Sequence, residues 1–172
     1  MREVNDKLNL LVQNSGSPNA SHTRPNDTTA YAALDVLGTT VTGTLTFANV
    51  LPPNVAGCGF IVTGVWMRID VAAIPSTMGG LRLHMFNAAP ADIADNAAFN
   101  VPAADRTKYL GYIDIDLPLD LGDTLYIEMN NVNFQRRLAA GSTTLYGVLQ
   151  TLAAYTPTAQ AVKTIGLEVV GV

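Results

Sequence analysis

Apolar and polar residues alternate along much of this chain. In the clearest run, Leu81, Leu83 and Met85 alternate with Arg82, His84 and Phe86. The same period of two recurs over 41–47, 60–71, 109–116, 125–130, 145–151 and 163–172. Successive side chains of a strand point to opposite faces of a sheet, so the pattern predicts strands with one buried face. In 60–71 it predicts that Ile61, Val65, Met67, Ile69 and Val71 share that face.

Turn-forming residues separate these runs. Proline, glycine, asparagine and aspartate cluster at 52–54, 74–80, 117–118, 121–123 and 140–142. About seven or eight short strands at this spacing are typical of an antiparallel sandwich or barrel. A parallel α/β fold is disfavoured, because no amphipathic helix of about 10–15 residues lies between strands. We expect an all-β fold: an antiparallel β-sandwich of jelly-roll type with about eight strands and one short helical insertion around residues 90–106.

The first 29 residues depart from this pattern. They begin with a short amphipathic piece, in which Val4, Leu8, Leu11 and Val12 are apolar, and continue through a Gly/Ser/Pro/Asn-rich stretch at 14–19. That composition is typical of a linker or an extended arm. We therefore predict an N-terminal arm, residues 1–29, and a β-sandwich domain, residues 30–172. The arm is either a disordered terminus or a segment that docks on a neighbouring molecule.

Charge is scarce in this sequence. Charged residues make up 14% of the chain and the formal net charge is −4, against a usual charged share of about 25%. The clustered cations that nucleic-acid binding requires are missing, since the only adjacent basic pair is Arg136–Arg137. No apolar run approaches the roughly 20 residues of a membrane-spanning helix. We expect a homo-oligomer that binds neither nucleic acid nor membranes. The N-terminal sequence has no apolar stretch of signal-peptide length, from which we expect synthesis in a cytoplasm.

Residues capable of catalysis are few. His22 falls in the polar arm, where we expect it to be solvated, and His84 falls in mid-strand, where we expect it to be half-exposed. Cys58 lies between two glycines with no histidine or basic residue nearby, and is expected to be a small buried thiol. Nucleophilic catalysis needs a base beside the nucleophile, and no such pairing is indicated. We predict that the chain is not an enzyme and binds no cofactor.

The densest acidic cluster consists of Asp114, Asp116, Asp120 and Asp123. It suggests either a structural Ca²⁺ site or a solvated strand face followed by a turn. The EF-hand order fails, because Pro118 and Leu119 occupy the positions that need Asp or Asn and then Gly. We favour the solvated face. As a carboxylate pair for glycoside hydrolysis the cluster is weaker still, because an aromatic share of 7% leaves few residues to line a sugar-binding cleft.

Two segments carry a family resemblance. The first is TRPNDTTAYAALDVLG, residues 23–38, and the second is LRLHMFNAAPADIADNAAF, residues 81–99, continued by YLGYI at 109–113. They resemble a widespread family of tailed-bacteriophage virion proteins. In that family an Arg-Pro-x-Asp-Thr-Thr-Ala-Tyr segment precedes a strand, and a strand ending near Phe-x-Ala-Ala-Pro is followed by Ile-Ala-Asp-Asn-Ala-Ala-Phe. The match covers roughly residues 23–115 and departs from the family at Leu34, where the family has glycine.

The resemblance implies a non-enzymatic component of a phage particle, and within that class a head decoration (cement) protein on the outer capsid surface. It implies the major capsid protein as partner and a homotrimer as oligomeric state. Within the first segment we predict Arg24, Pro25, Asp27 and Tyr31 as contact residues; the alternative is that this segment only shapes the entry turn of the first strand.

Two other function classes stay open. One is a tail, fibre or baseplate protein that contacts a host receptor through loops at 88–106 and 150–161. The other is a polysaccharide depolymerase, which would need paired carboxylates in a cleft.

Overall fold

The computed structural model describes residues 14–172, which form two antiparallel sheets. The strands are β1 (Ser15–Gly16), β2 (Asn19–Thr23), β3 (Val36–Leu37), β4 (Thr44–Phe47), β5 (Gly59–Ile69), β6 (Leu81–Phe86), β7 (Tyr109–Ile115), β8 (Leu119–Asp120), β9 (Leu125–Arg137), β10 (Leu145–Thr151) and β11 (Val162–Gly171). Helical structure in this part of the chain is limited to two 3₁₀ turns, Pro53–Val55 and Ala103–Asp105. None of its helices is long and apolar enough to cross a membrane.

The order of the strands defines a jelly roll. The six-stranded sheet has the order β1-β11-β5-β9-β8, with β2 also pairing with β11, and the five-stranded sheet has the order β3-β10-β6-β7, with β4 also pairing with β10. β1 and β2 pair with successive parts of β11, and β4 and β3 pair with successive parts of β10. Each couple therefore acts as one interrupted strand. If each couple counts as one strand and the two-residue β8 is left out, the chain has eight strands. Numbered along the chain, they lie side by side in the order 1-8-3-6 in one sheet and 2-7-4-5 in the other. This arrangement interleaves two Greek keys. The predicted fold class is confirmed.

Alternation places the core between the sheets. In β6, Leu81, Leu83 and Met85 are fully buried there, as the sequence predicts. The main cluster also includes Leu45, Phe47, Phe60, Met67, Leu149, Ile165 and Leu167 from both sheets. Because burial of apolar surface is the dominant favourable term in folding, this cluster supplies most of the favourable free energy that holds the two sheets together.

A β-bulge at Thr63 reverses the alternation of β5. The register of β5 against β11 shifts at this position, so Thr63 is skipped in the ladder. Beyond the bulge Val65, Met67 and Ile69 face the core as predicted, whereas before it Phe60 and Val62 do so. Ile61 is therefore only half-buried, and its predicted place on the core face is wrong.

Residues 87–108, here called the covering segment, lie over the outer face of the five-stranded sheet. Ile93, Phe99 and Val101 of this segment pack on a second small cluster formed by Val36, Phe86 and Val148. Residues 90–99, predicted as part of a helical insertion, are not helical. Their backbone groups pair instead with residues 34–39, for example Val36 N–H with the Ala97 carbonyl at 2.8 Å and Asp95 N–H with the Thr39 carbonyl at 2.9 Å. Within 90–106 the only helical turn is Ala103–Asp105.

The described part of the predicted arm is extended and lies against its own chain. β2 pairs with β11 over five residues, from Asn19 opposite Gly166 to Thr23 opposite Val162. Residues 1–13 of the predicted arm lie outside the described residues. The division at residue 30 and the docking of an arm on a neighbouring molecule stay predictions.

Candidate contact site

Arg24 lies at the centre of a buried hydrogen-bond network directly after β2. Its side chain is completely shielded from solvent. Nη2 donates to the Thr29 carbonyl and to Asp27 Oδ1, both at 2.9 Å, and Nη1 donates to the Asp27 carbonyl. Because a buried guanidinium is stable only when its donors are satisfied, these bonds fix the loop from 24 to 31.

Tyr31 joins this loop to the covering segment. Its hydroxyl accepts a hydrogen bond of 3.0 Å from Arg24 Nε and donates one of 2.6 Å to Asp95 Oδ1. Asp95 Oδ2 also lies 3.5 Å from Arg24 Nε. Burial and the neighbouring Asp95 carboxylate raise the pKa of Tyr31 far above its ordinary value, so the hydroxyl stays protonated. The Tyr155 ring packs on the Tyr31 ring with a centroid distance of 5.2 Å.

The four predicted contact residues divide into two pairs. The side chains of Arg24 and Tyr31 are buried within the chain, whereas Pro25 is half-buried and Asp27 keeps 47% of its side chain exposed. Asp27 Oδ1 accepts a hydrogen bond of 2.9 Å from the Thr29 N–H, and this bond, with help from Arg24, lowers the pKa of Asp27. The buried pair therefore holds the loop, and a partner can reach only its outer residues, 25–30.

Leu34 has a φ of 75°. This left-handed conformation is strained for a residue with a Cβ atom and natural for glycine. The backbone there is needed, because the Leu34 carbonyl accepts hydrogen bonds from Phe99 N–H and from Gln150 Nε2. The chain thus keeps the backbone conformation without the residue that suits it best.

A groove borders the exposed side of this loop. It is lined by Ala30, Tyr31, Ser76, Thr77, Ala154, Tyr155 and Thr156. Thr77 has a φ of 65°, which is rare for a β-branched residue, and its hydroxyl oxygen lies 2.8 Å from the Ala154 carbonyl oxygen. No pattern in the sequence indicates this groove, because its walls come from three loops that are far apart along the chain.

His22 and Lys163 form a buried basic pair that the sequence did not predict. They lie opposite each other in β2 and β11 and face the interior, so the expected solvation of His22 is wrong. Among residues 14–172, neither ring nitrogen of His22 has a hydrogen-bond partner. Burial, with the charge of Lys163, lowers the pKa of His22 to about 4, and burial lowers the pKa of Lys163 to about 8.

His84 is also buried, not half-exposed as predicted, because the covering segment lies on it. Phe99 stacks on its ring with a centroid distance of 3.6 Å. Nε2 lies 3.0 Å from Gln150 Oε1, and Nδ1 lies 3.0 Å from the Tyr109 hydroxyl. Gln150 uses its amide nitrogen for the Leu34 carbonyl, so its oxygen accepts from Nε2–H and the Tyr109 hydroxyl donates to Nδ1. Burial lowers the pKa of His84, which fits this neutral ring.

The remaining candidates have structural partners or are dispersed. Asp114 forms a two-point ion pair with Arg82, with contacts of 2.6 and 3.0 Å. Asp120 accepts from the Gly122 N–H at 2.8 Å, as in a turn. Among residues 14–172 no group of three or more His, Cys, Asp or Glu side chains is arranged to hold a metal ion. Cys58 is a half-buried free thiol.

A run of exposed leucines lies beside these aspartates. Residues 116–124, here called the leucine loop, connect β7 to β9 and contain the short β8. The exposed fractions of Leu117, Leu119 and Leu121 are 43%, 69% and 61%. Leucine is among the residues most often buried, so three exposed in one loop form an apolar patch.

Comparison with known proteins yields only distant structural similarities. No protein-family model matches the sequence, and no curated protein is a significant match. The chain is similar to the capsid of Ralstonia phage GP4, at 13% identity over 92% of this chain and 83% of that chain, with a TM-score of 0.39. It is also similar to a chain of the Israel acute paralysis virus pentamer (14% identity, 98% and 92% covered, TM-score 0.33) and to PRD1 vertex protein P5 (12% identity, 90% and 96% covered, TM-score 0.32). The jelly-roll assignment rests on the strand order of this chain and not on these similarities.

Proposed function

We propose that this chain is a non-enzymatic structural protein of a tailed-phage virion, and specifically a head decoration protein that binds the outer capsid surface and stabilises the shell. The observation that carries the proposal is the contact between the two resembling segments. Arg24 and Tyr31 belong to the first and Asp95 to the second, and the three side chains meet in one buried network. The residues that carry the resemblance thus form one structural unit in the molecule.

The architecture supports a structural role. A decoration protein needs a rigid scaffold whose binding adds buried area between capsid subunits. Here two sheets enclose one continuous core, and the outer residues of the 24–31 loop are held by a buried arginine. The proposed partner is the major capsid protein, and the proposed assembly is a homotrimer. The outer residues of this loop, 25–30, are the proposed contact surface of the predicted site.

The copy number in the particle tests this proposal. Peptides of this chain and of the major capsid protein are quantified by mass spectrometry in purified virions of the phage that encodes it. We expect hundreds of copies in a fixed ratio to the shell subunits, together with a lower melting temperature of capsids that lack the chain. Absence from the particle would overturn the proposal.

A tail, fibre or baseplate protein that contacts a host receptor is the second candidate. The groove between residues 30–31, 76–77 and 154–156 favours it, because several hydroxyl groups line an open surface at one end of the sandwich. A handful of copies per particle would favour this candidate over head decoration. Binding of the purified chain to host cells, lost on replacement of Thr156 by a bulky residue, would then be the decisive assay.

A further inference from the structure

The leucine loop is exposed but held in place. Within it, β8 pairs with the start of β9, and the N–H of Leu121 donates to the Thr124 carbonyl at 2.9 Å. The loop therefore presents its leucines on a fixed backbone. An apolar patch that is held in this way marks an interaction surface.

Negative charge surrounds this patch. The loop contains three exposed carboxylates, those of Asp116, Asp120 and Asp123. Residues 109–130 contain neither lysine nor arginine. Arg68 of β5 and Arg82 of β6 are already paired with other aspartates, at 3.0 and 2.6 Å. A surface that matches the leucine loop therefore combines apolar groups with basic ones.

The opposite end of β7 and β9 is basic. Three exposed arginines, here called the arginine end, lie there: Arg106, Arg136 and Arg137. Two of them end β9, and Arg106 comes three residues before β7 begins. Arg136 Nε donates to the Leu110 carbonyl, so these ends of the two strands lie together.

Acidic side chains do not offset the arginine end. Residues 52–63 and 131–151, which include the end of β9 and the strand start beside it, contain neither aspartate nor glutamate. Asp105, next to Arg106, is buried and pairs with Lys108 at 2.7 Å. Arginine suits carboxylates because its planar fork binds them at two points, and its methylene stem packs on apolar groups. The arginine end therefore offers what the leucine loop requires.

The two surfaces cannot meet within one molecule. They lie at opposite ends of β7, which is seven residues long, and of β9, which is thirteen residues long. At the rise of a strand these lengths correspond to about 20 and 40 Å. β7 is fixed by its pairing with β6, and β9 by its pairing with β5. A contact between the leucine loop and an arginine end therefore joins two molecules.

We propose that the leucine loop of one copy docks on the arginine end of a second copy, with aspartate–arginine pairs around the leucines. This inference rests on the self-association proposed above. Because every copy carries both surfaces, the contact is head-to-tail. Such a contact closes into a ring when the rotation between copies allows it, and a trimer is one such ring.

Charge reversal at the leucine loop tests the contact. Asp116→Lys with Asp123→Lys makes the loop basic and keeps Asp120, which forms a hydrogen bond within its turn. We expect light scattering at micromolar concentration to show self-association weakened by about tenfold or more. Glu128→Lys with Glu168→Lys is the matched control. It changes the net charge equally, at exposed positions of the six-stranded sheet, and is expected to leave self-association unchanged.

A second variant separates a specific contact from a general effect of charge. Arg106→Glu with Arg137→Glu makes the arginine end acidic, and we expect it to weaken self-association to a similar extent. When this variant is mixed with the lysine variant of the leucine loop, the two altered surfaces are again opposite in charge. Binding between the two variants, measured with one labelled chain, is expected to be about tenfold tighter than the self-association of either. Absence of this recovery, with both variants folded by circular dichroism, would overturn the proposal.

Leu119→Ser tests the apolar part of the contact without a change in charge. The side chain is 69% exposed, so circular dichroism and the thermal midpoint are expected to stay unchanged. Self-association is expected to fall by about tenfold, the effect of no longer burying one leucine. If this variant and both charge reversals keep the oligomeric state of the intact chain, the docking is wrong while the trimer stands. If the intact chain is a monomer, the docking fails, and the copy number in virions still tests head decoration independently.

Discussion

The hydroxyl of Tyr31 accepts a hydrogen bond from Arg24 at 3.0 Å and donates one to Asp95 at 2.6 Å. One neutral group thereby connects a buried cation to a carboxylate 64 residues further along the chain. The guanidinium also lies 5.2 Å from the centroid of the same ring. The Tyr31 hydroxyl, together with the direct Arg24–Asp95 ion pair, therefore joins the first loop of the sandwich to the covering segment.

Replacing Tyr31 by phenylalanine removes this connection without changing the packing of the ring. We expect the free energy of unfolding to fall by about 1–3 kcal/mol, since a buried donor and a buried acceptor each lose a partner. Urea denaturation measures the loss. Tyr126→Phe is the matched control, because the Tyr126 hydroxyl donates to the exposed Glu128 at 3.2 Å. Loss of this exposed bond is expected to change stability by less than about 0.5 kcal/mol. Equal effects of the two changes would contradict the role given to Tyr31.

His22 makes stability sensitive to mild acid. Its pKa is lowered to about 4 in the folded chain, by burial first and by the charge of Lys163 second. In the unfolded chain His22 binds a proton with a pKa of about 6.5. The stability that neutral His22 contributes is therefore fully present above that pH and is lost as the pH falls toward 4. We expect His22→Leu to remove this loss, with a gain over the unsubstituted chain that grows below pH 6.5 to on the order of 3 kcal/mol. Denaturation curves between pH 4 and 8 measure it, and a difference that does not vary with pH would refute the assignment.

Lys163 places a charge in the interior, where the cost of burial outweighs the attraction of the Asp95 carboxylate. Burial lowers its pKa to about 8. We expect Lys163→Met to raise the free energy of unfolding at pH 7 by on the order of 1–3 kcal/mol. The gain shrinks as the pH rises from about 8 to 10.5, because the folded chain then releases a proton that the unfolded chain keeps.

Lys108→Met provides the matched control for this change. Lys108 Nζ lies 2.7 Å from Asp105 Oδ1 and 2.8 Å from the Ala89 carbonyl oxygen, so its replacement is expected to reduce stability. Thermal denaturation of both variants at pH 7 and pH 10 gives the comparison. A destabilised Lys163→Met variant at pH 7 would show that the Lys163 ammonium group is satisfied in the folded chain.

Leu34 offers a test of backbone strain. With a φ of 75° and a half-exposed side chain, it loses little packing on replacement. We expect Leu34→Gly to be as stable as the unsubstituted chain or more stable by up to about 1 kcal/mol, as relief of strain offsets the greater flexibility of the unfolded chain. Leu34→Val is expected to be destabilised by about 1–2 kcal/mol, because a β-branched residue tolerates this conformation least. The reverse order of the two variants in urea denaturation would be inconsistent with strain at this position.

The sequence predicted those features that depend on local alternation. Leu81, Leu83 and Met85 face the core because nothing interrupts the period of two in β6. Ile61 was misplaced because the single extra residue at Thr63 leaves the sequence looking regular while it reverses the faces of the strand. The fold class survives such an error, since it depends on the order in which the strands pair and not on the face taken by one residue.

Burial by distant parts of the chain was not predictable. Arg24 was expected at a contact surface and His84 in a half-exposed strand, and both are covered by residues that lie far away in the sequence. His84 bonds to Gln150, and Arg24 pairs with Asp95 in addition to its local hydrogen bonds; no periodicity indicates either of these distant partners. The structure of residues 90–99 was not predictable for the same reason. Their alanines favour a helix, but their backbone groups form hydrogen bonds with residues 34–39 instead.

The covering segment leaves the molecule with two unlike broad sides. One sheet is overlaid by residues 87–108, whereas the other displays Thr63, Arg68, Glu128 and Glu168 directly to solvent. The two sides therefore offer a flat partner different side chains and different surface shapes. The two faces of each molecule are therefore distinct before any partner binds. Many copies laid on a regular surface can then all settle the same way round without a separate device to orient them.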